Sequence, residues 1–241
     1  MKRLSVLATL MLAQTAIMGL PAHALSSTAP NSVAQADAVS SSSAASSEAA
    51  TFVPAPWDQT ASYPTDIVVG AADAPVTIVE YGSLTCPHCA TFQNDKYPEI
   101  KKEWIDTGKV KLVFRHFPVD MTAMGAAVLV SCLPDQDRHK AVEGLYKDVN
   151  SWATKPLKDS IPQTISAALG REVSYEKDFD ACIQRAEFQR EVLRPAFDAN
   201  KQGVTGTPTF FVNGEKIVGY SAADPRQIDD IIIRKLGETG K

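Results

Sequence analysis

Cys86 and Cys89 are the residues whose type and spacing could do chemistry, and they lie in the stretch "TCPHCATF". Two thiols three positions apart can ligate a metal, attach haem, form a structural disulfide or alternate between dithiol and disulfide. The chain has four cysteines in 241 residues. The chemistry of this pair therefore decides most of what the protein does.

Three of these four uses fit the sequence poorly. A structural zinc ion takes four ligands, and Cys132, Cys182, His116 and His139 supply no second ligand-spaced pair. Covalent haem needs a histidine directly after the second cysteine, where this chain has Ala90. A structural disulfide that closes so short a loop removes little entropy from the unfolded chain. A redox-active dithiol is the use that remains.

The elements around the pair favour this redox reading. The segment "PVTIVEYGS" predicts a buried strand from Val76 to Tyr81, and the cysteines come directly after it. They open a predicted helix that runs to about Trp104, with Thr85 as its N-cap and Pro87 in its first turn. Pro98 should bend that helix.

A cysteine at the start of a helix faces free backbone N–H groups, which favour its thiolate. We therefore expect Cys86 to be the nucleophile and Cys89, one turn further in, to be the more buried resolving cysteine. The imidazole of His88 could donate to the Cys86 thiolate or pair with it, or it could be a solvated surface histidine. A stabilised thiolate stabilises the dithiol form. Each tenfold gain in the equilibrium constant for reduction raises the reduction potential by about 30 mV, which makes the disulfide more oxidising.

The rest of the chain predicts a mixed sheet interrupted by helices. A second strand, "KVKLVFRHFP", follows Gly108, and helical segments fill Met121 to about Gln202. Two short strands in "TPTFFVNGEKIVGY" meet at Asn213-Gly214, a type I′ hairpin signal, and a last helix spans Pro225 to Leu236. The fold class is thus α/β, with a helical insertion in the middle of the chain.

The first 24 residues have the pattern of a secretory signal peptide. Lys2 and Arg3 precede an apolar run from Leu4 to Leu20, and "AHA" at Ala22 to Ala24 resembles a cleavage site. A membrane anchor is the weaker alternative, because the run is short and contains polar residues such as Gln14. The mature protein is then expected in an oxidising compartment.

Residues 25–62 are rich in Ser and Ala and are predicted to be a flexible linker, with one folded domain at 63–241. A helical oligomerisation stalk is disfavoured by the serine run Ser40 to Ser43. The net charge of −4 without a basic stripe makes nucleic acid a poor candidate partner.

Three features resemble the DsbA-like thiol-disulfide oxidoreductases of the thioredoxin-fold superfamily. These are "CPHC" after a strand, the late segment "TGTPTFFVNG" and the helical insertion between them, which together cover most of 66–241. The resemblance implies a thioredoxin fold whose all-helical insertion, about 120–202, lies between the second strand and the cis-proline strand. It implies periplasmic localisation, and no dissociable cofactor and no metal.

The resemblance also implies roles for three further residues. Pro208 should form a cis bond with Thr207 and lie against the CxxC, where the loop pairs with an extended client chain. Otherwise Pro208 is an ordinary edge-strand proline. Glu80, six residues before the nucleophile, should be a buried acid that moves protons for Cys89. Strand alternation could instead turn Glu80 outward.

Cys132 and Cys182 remain for a second bridge. In an oxidising compartment a structural disulfide is the simplest prediction, and closing a loop of about 50 residues would contribute roughly 4 kcal/mol. Two buried free thiols or a second redox pair are the alternatives.

The predicted function is a monomeric disulfide oxidase that donates the Cys86-Cys89 disulfide to folding client proteins and is reoxidised by a DsbB-type membrane oxidase. An isomerase or reductase is the first alternative, because relatives of that type also carry threonine at the position of Thr207. The lack of a dimerisation segment ahead of Asp66 disfavours it. A non-catalytic peptide-binding or chaperone module is the second alternative.

Overall fold

The computed structural model describes residues 62–185 and 187–239. The predicted signal peptide, and the predicted linker except for Ser62, lie outside the described residues. The described chain folds around one mixed sheet. Its strands are β1 Ile67–Val69, β2 Val76–Gly82, β3 Val110–His116, β4 Thr209–Val212 and β5 Glu215–Val218.

The strand order is β1-β3-β2-β4-β5, so β2 lies at the centre of the sheet. It pairs in parallel with β3 and antiparallel with β4, and β5 completes a hairpin with β4. Strands buried on both faces read as nearly unbroken apolar runs, which is why β2 and β3 are visible in the sequence.

The edge strand β1 is an addition to the predicted order of elements. It pairs antiparallel with β3 and has three residues, too few to show an alternating pattern. A buried ion pair fixes it: Asp66, just before β1, accepts from the Arg115 guanidinium of β3 at 2.8 and 3.0 Å. Such a long-range pair leaves no local signal in the sequence.

The helices include the predicted insertion and the predicted C-terminal helix. They are α1 Pro87–Thr91, α2 Tyr97–Ile100, α3 Met121–Cys132, α4 Asp135–Lys147, α5 Val149–Ala153, α6 Leu157–Leu169, α7 Asp180–Ile183, α8 Phe188–Lys201 and α9 Gln227–Thr239. The wider π-helical segments are Phe92–Lys96, Lys101–Ile105 and Tyr175–Phe179.

The helix that follows the CxxC alternates between α and π geometry as far as Ile105. Pro98 lies in α2, between two π-helical segments, and has no N–H to donate to the preceding turn. The N–H of Tyr97 donates to the carbonyl of Phe92, five residues back. The irregularity predicted at Pro98 is thus taken up by widened turns on both sides of it.

The two faces of the sheet are covered by different helices. Ile78 on one face of β2 packs in a cluster with Phe92 of the CxxC helix and Ile232 of α9. Val79 on the opposite face packs with Ala199 of α8. Side chains alternate along a strand, so Glu80 shares the face of Ile78 and points toward the CxxC helix.

The β4-β5 hairpin turns at the predicted dipeptide. Asn213 and Gly214 both have positive φ, 41° and 96°, as a type I′ turn requires. The Asn213 side chain also accepts from the N–H of Thr77 at 2.8 Å, which ties the turn to the start of β2. The described part is α/β, with its helical insertion between β3 and β4.

Candidate active site

The CxxC is held at the point where β2 gives way to α1. The chain turns after Gly82, with the N–H of Cys86 donating to the carbonyl of Ser83 at 2.9 Å, and α1 begins at Pro87. A side chain at Gly82 would approach the Phe114 ring to 2.4 Å, so only glycine fits there. Cys86 occupies the N-cap position of α1.

The prediction that Thr85 caps this helix is wrong. Cys86 is the N-cap residue and no side chain caps the helix. The Thr85 hydroxyl instead donates to Asp120 at 2.6 Å. Asp120 is itself the N-cap of α3, where it accepts from the N–H of Ala123 at 2.7 Å. The Thr85 hydroxyl thus bonds to a side chain 35 residues away and does not cap the helix that follows it.

Thr207 and Pro208 lie opposite Cys86, although 121 residues separate Cys86 from Thr207 along the chain. β4 starts directly after Pro208, and its first residue, Thr209, pairs with Tyr81 near the end of β2. This pairing brings the loop to the CxxC. The Thr207-Pro208 bond is cis, and Cys86 Sγ lies 3.4 Å from the Thr207 carbonyl oxygen, to which it donates when it carries its proton.

The pKa of Cys86 is lowered to about 5. The largest cause is a hydrogen bond from the Cys89 thiol, and burial opposes it. The Thr207 side chain and the backbone N–H groups of Cys89 and His88 lower the pKa further. The expectation that the helix start favours the Cys86 thiolate is confirmed in direction, and much of the effect comes from the neighbouring thiol.

Cys89 behaves in the opposite way. It is fully buried, and burial raises its pKa well above the ordinary value. The hydrogen bond that it gives to Cys86 and the negative charge of Glu80 act in the same direction. At neutral pH the reduced pair therefore consists of a Cys86 thiolate and a Cys89 thiol.

Glu80 is buried rather than turned outward. Its cross-strand neighbours are Phe114 of β3 and Phe210 of β4, so its carboxyl lies in apolar surroundings. Burial raises its pKa to about 8, against the effect of a hydrogen bond from Gln93 Nε2 to Oε2 at 2.7 Å. Oε1 has no hydrogen-bond partner among the described residues.

Two neighbours of the site were missed in the sequence. Gln93 lies four residues after Cys89, one turn along the helix, and this i to i+4 spacing could have placed it beside the sheet. Tyr146 lies among the apolar residues of α4, and its hydroxyl donates to the Ser83 carbonyl at 3.0 Å. Burial and Cys89 both raise the pKa of Tyr146.

His88 is exposed in the first turn of α1. The contribution of this residue to the Cys86 pKa comes from its backbone N–H. A role for the imidazole stays a prediction.

Cys132 and Cys182 are joined in a disulfide, with their Cα atoms 5.8 Å apart. The bridge links the end of α3 to α7 and packs with Val128 and Phe188. An α-helix rises 1.5 Å per residue, so Cys132 lies roughly 16 Å along α3 from the end that contacts Thr85.

Metal ligands do not gather anywhere in the described residues: no group of three or more His, Cys, Asp or Glu side chains could hold an ion. Within the same residues, no helix is long and apolar enough to cross a membrane.

The fold and the thiol pair together define a thioredoxin-fold protein with a CxxC at the start of its first helix. In agreement, the family model described as Thioredoxin matches residues 62–232. The alpha-DsbA1 structure of Wolbachia pipientis is 30% identical, covers 74% of this chain and 94% of its own, and has a TM-score of 0.64. BdbD of Bacillus subtilis, in its oxidised form, is 25% identical, with 73% and 95% covered and a TM-score of 0.61.

Among curated proteins, Disulfide bond formation protein D of Bacillus subtilis is 26% identical over 175 residues, 70% of this chain and 76% of that protein. A relative from Rickettsia felis is 30% identical over 158 residues, which are 65% of this chain. The match spans 56% of the length of that relative. The chain belongs to the thioredoxin family, among its DsbA-like members.

Proposed function

We propose that the protein is a thiol-disulfide oxidoreductase that donates the Cys86-Cys89 disulfide to client proteins. The observation that carries this proposal is the opposite displacement of two neighbouring thiol pKa values: that of Cys86 falls to about 5 and that of Cys89 rises. One sulfur is thereby suited to leave as a stable thiolate and the other to hold a proton.

The reaction begins when a client thiolate attacks Cys86 of the oxidised pair. The bond between the two enzyme sulfurs breaks, a mixed disulfide forms on Cys86, and Cys89 leaves as a thiolate that must take up a proton. The client's second thiolate then attacks the client sulfur in the mixed disulfide and releases the Cys86 thiolate. Two electrons have passed from the client dithiol to the CxxC, and the client has gained a disulfide.

Glu80 supplies the proton that Cys89 takes up. With a pKa of about 8, its carboxyl is largely protonated at neutral pH. Gln93 holds the other side of that carboxyl through the bond from Nε2 to Oε2. Glu80 is therefore the proton donor, and Gln93 is a positioning residue.

Thr207 and Pro208 form the wall against which a client chain lies. A loop before a sheet strand can offer its backbone groups to an extended peptide of any sequence. The 3.4 Å distance between Cys86 Sγ and the Thr207 carbonyl oxygen supports this role for the loop. The imidazole of His88, exposed on the rim, pairs with the Cys86 thiolate when protonated.

The low pKa of Cys86 favours a disulfide donor, since stabilising the thiolate stabilises the reduced form. Disulfide isomerase or reductase activity is the second candidate, and Thr207 favours it through the resemblance given above. We further propose that the protein acts as a monomer in the periplasm after removal of its signal peptide. A DsbB-type membrane oxidase would restore the disulfide, and no dissociable cofactor is needed.

Equilibration of the CxxC with a glutathione buffer tests the direction of electron flow. The same measurement is made on the variant Cys132→Ala/Cys182→Ala, in which the CxxC is the only cysteine pair that can equilibrate with glutathione. The expected reduction potential lies well above the roughly −270 mV of a reducing thioredoxin. A value near −270 mV would overturn the oxidase and leave the reductase.

A further inference from the structure

A cavity of about 740 Å³ lies outside the thiol site, between the helix that follows the CxxC and the helices α4 to α6. Neither cysteine of the CxxC lines it, nor does Pro208. Its volume is within the range of sites that take small molecules, roughly 300 to 1,000 Å³. Nothing in the proposed disulfide exchange uses it.

The lining of the cavity is strongly basic. Its lysines are Lys101, Lys102, Lys140, Lys147 and Lys155. Asp106 and Glu143 are the carboxylates that line it, so five positive charges face two negative ones and the net charge is +3. The whole chain, by contrast, has a formal net charge of −4.

Most of these lysines form no close ion pair, although the charge of Glu143, between Lys140 and Lys147 on α4, acts on both of them. Among the described residues, only Lys101 of the five forms an ion pair within 4.0 Å, with Asp106. Lys140 and Lys147 are two turns apart on α4, about 10.5 Å along its axis, and so present their charges on one side of that helix. An anion with two separated acidic groups matches this arrangement.

Gln93 and Tyr97, which we call the floor of the cavity, belong to its lining and are only 5% and 1% exposed. Gln93 Oε1 and the Tyr97 hydroxyl are buried and have no hydrogen-bond partner among the described residues. Buried polar atoms are nearly always hydrogen-bonded, and a polar partner bound in the cavity could bond to these two atoms once their side chains turn toward it.

The two atoms also define what that partner must offer. Gln93 Oε1 is an acceptor and needs a donor, and a hydroxyl group can serve both Gln93 and Tyr97. Small residues make the wall beside them: Gly144 of α4 lies so close to Ala168 that an added Cβ would come within 2.4 Å of it. Bulky side chains are thus excluded from this wall by helix packing.

We propose that this cavity is a binding site for a small organic anion with two acidic groups, phosphate or carboxylate, and at least one hydroxyl group. The lysines on the rim hold the acidic groups as point charges. Gln93 and Tyr97 on the floor hold the hydroxyl group. Because Gln93 also bonds to Glu80, the ligand would lie one side chain away from the acid of the thiol site.

Isothermal titration calorimetry with fructose 1,6-bisphosphate, citrate, inorganic phosphate and fructose tests the proposal. Fructose 1,6-bisphosphate or citrate is expected to bind at least about tenfold more tightly than inorganic phosphate, and fructose weakest of all. Tighter binding of the bisphosphate identifies a phosphorylated ligand, and tighter binding of citrate a carboxylated one. Inorganic phosphate binding as tightly as both, or no binding of either at 1 mM, would overturn the proposal.

Two matched double variants place the ligand. Lys140→Gln/Lys147→Gln removes two charges from the rim, and Lys158→Gln/Lys177→Gln removes two exposed charges that do not line the cavity. The first should weaken binding of the tighter organic anion by about tenfold or more, the second by less than about twofold. If both double variants bound the anion equally weakly, the anion would be attracted by net charge alone, and the proposed site would be rejected.

Tyr97→Phe tests the floor without a risk to folding, because the hydroxyl that it removes has no protein partner to leave unsatisfied. The organic anion should bind roughly five- to tenfold more weakly, while weak binding of inorganic phosphate stays unchanged. If Tyr97→Phe left the affinity for both unchanged, the hydroxyl-bearing ligand would be refuted.

Discussion

Cys86 and Cys89 lie three residues apart at the start of α1, whereas Cys132 and Cys182 are 50 residues apart and join α3 to α7. The first pair is reduced and has two unlike sulfurs, one with a lowered and one with a raised pKa. The second pair is bonded and packs among aliphatic and aromatic side chains.

The difference shows what makes a cysteine pair reactive. The two sulfurs of the CxxC have different surroundings. Free N–H groups at the helix start and the Thr207 loop lower the pKa of Cys86, whereas burial and the acid Glu80 raise the pKa of Cys89. Around the bridge, the polar contact recorded within the described residues is that of Arg185, whose Nη2 lies 3.9 Å from Cys182 Sγ. We infer that these surroundings, more than the spacing of the cysteines, decide which disulfide an attacking thiolate can open.

Cys86→Ser should have the largest effect on the difference between the two cysteine pairs. The variant removes the more accessible sulfur of the site, since Cys86 is 8% exposed and Cys89 is 0% exposed. Oxidation of a reduced client peptide is expected to fall by at least about a thousandfold. A variant that still formed client disulfides, and protected clients from aggregation at full strength, would favour a non-catalytic peptide-binding module.

Cys132→Ala/Cys182→Ala should have the converse effect, with lower stability and unchanged chemistry. Loss of a 50-residue loop closure is expected to lower the free energy of unfolding by about 3 to 4 kcal/mol in urea titrations. The rate of client oxidation per folded molecule should stay within about twofold. A shift of the CxxC potential by more than about 30 mV would assign the bridge a part in the redox chemistry.

Glu80→Gln tests how the buried acid beside the CxxC affects the pH dependence of stability. The folded pKa of Glu80, about 8, lies above its ordinary value of 4.5, so stability present below pH 4.5 is lost as the pH rises through 8. In the reduced protein Cys86 acts in the opposite sense, because stability present above pH 9 is lost as the pH falls through 5. The oxidised protein retains only the Glu80 effect.

The measurement is the free energy of unfolding of the oxidised protein at pH 6.5 and pH 8. His116 and His139, whose pKa values are lowered to about 3 and about 4, each add roughly 0.4 kcal/mol of stability over this range, as the unfolded chain loses its remaining imidazole protons. That gain is the same in both proteins, so the native protein should lose about 1 to 2 kcal/mol relative to Glu80→Gln. An equal change in the free energy of unfolding of both proteins would show that Glu80 does not titrate in this range.

His88→Ala should give the smallest effect. The variant keeps the backbone N–H that lowers the Cys86 pKa and removes only an exposed imidazole. Thiolate absorbance against pH should place the Cys86 pKa higher by about one unit or less. No change at all would show that the imidazole has no part in stabilising the thiolate. Lys177→Ala, far along the chain and exposed, is the control.

Much of the fold could be predicted because it rests on local signals. The unbroken apolar runs of β2 and β3, the Asn213-Gly214 turn and the helical spacing in α4 are each visible within a few residues. The parts that escaped prediction depend on long-range contacts. β1 is held by the buried pair of Asp66 with Arg115, and Thr85 is bonded to Asp120, 35 residues away.

The same distinction applies to the site. Cys86 and Cys89 were evident from their spacing, and the resemblance supplied Thr207, Pro208 and Glu80. Gln93 and Tyr146 were not recognised as neighbours of the site. Nothing in the adjacent sequence shows that Gln93 bonds to the Glu80 carboxyl or that Tyr146 bonds to the Ser83 carbonyl. Their roles follow from the packing of the CxxC helix and α4 against the sheet.

The pairing of β4 with β2 sets the order in which the parts of the thiol site are assembled. Both cysteines of the CxxC have been synthesised long before residue 207, but the wall opposite Cys86 exists only once β4 has joined the sheet. A chain that ends before that point carries both thiols without the Thr207 carbonyl beside Cys86. Completion of the C-terminal hairpin is therefore the last step in assembling the surroundings of the thiol pair.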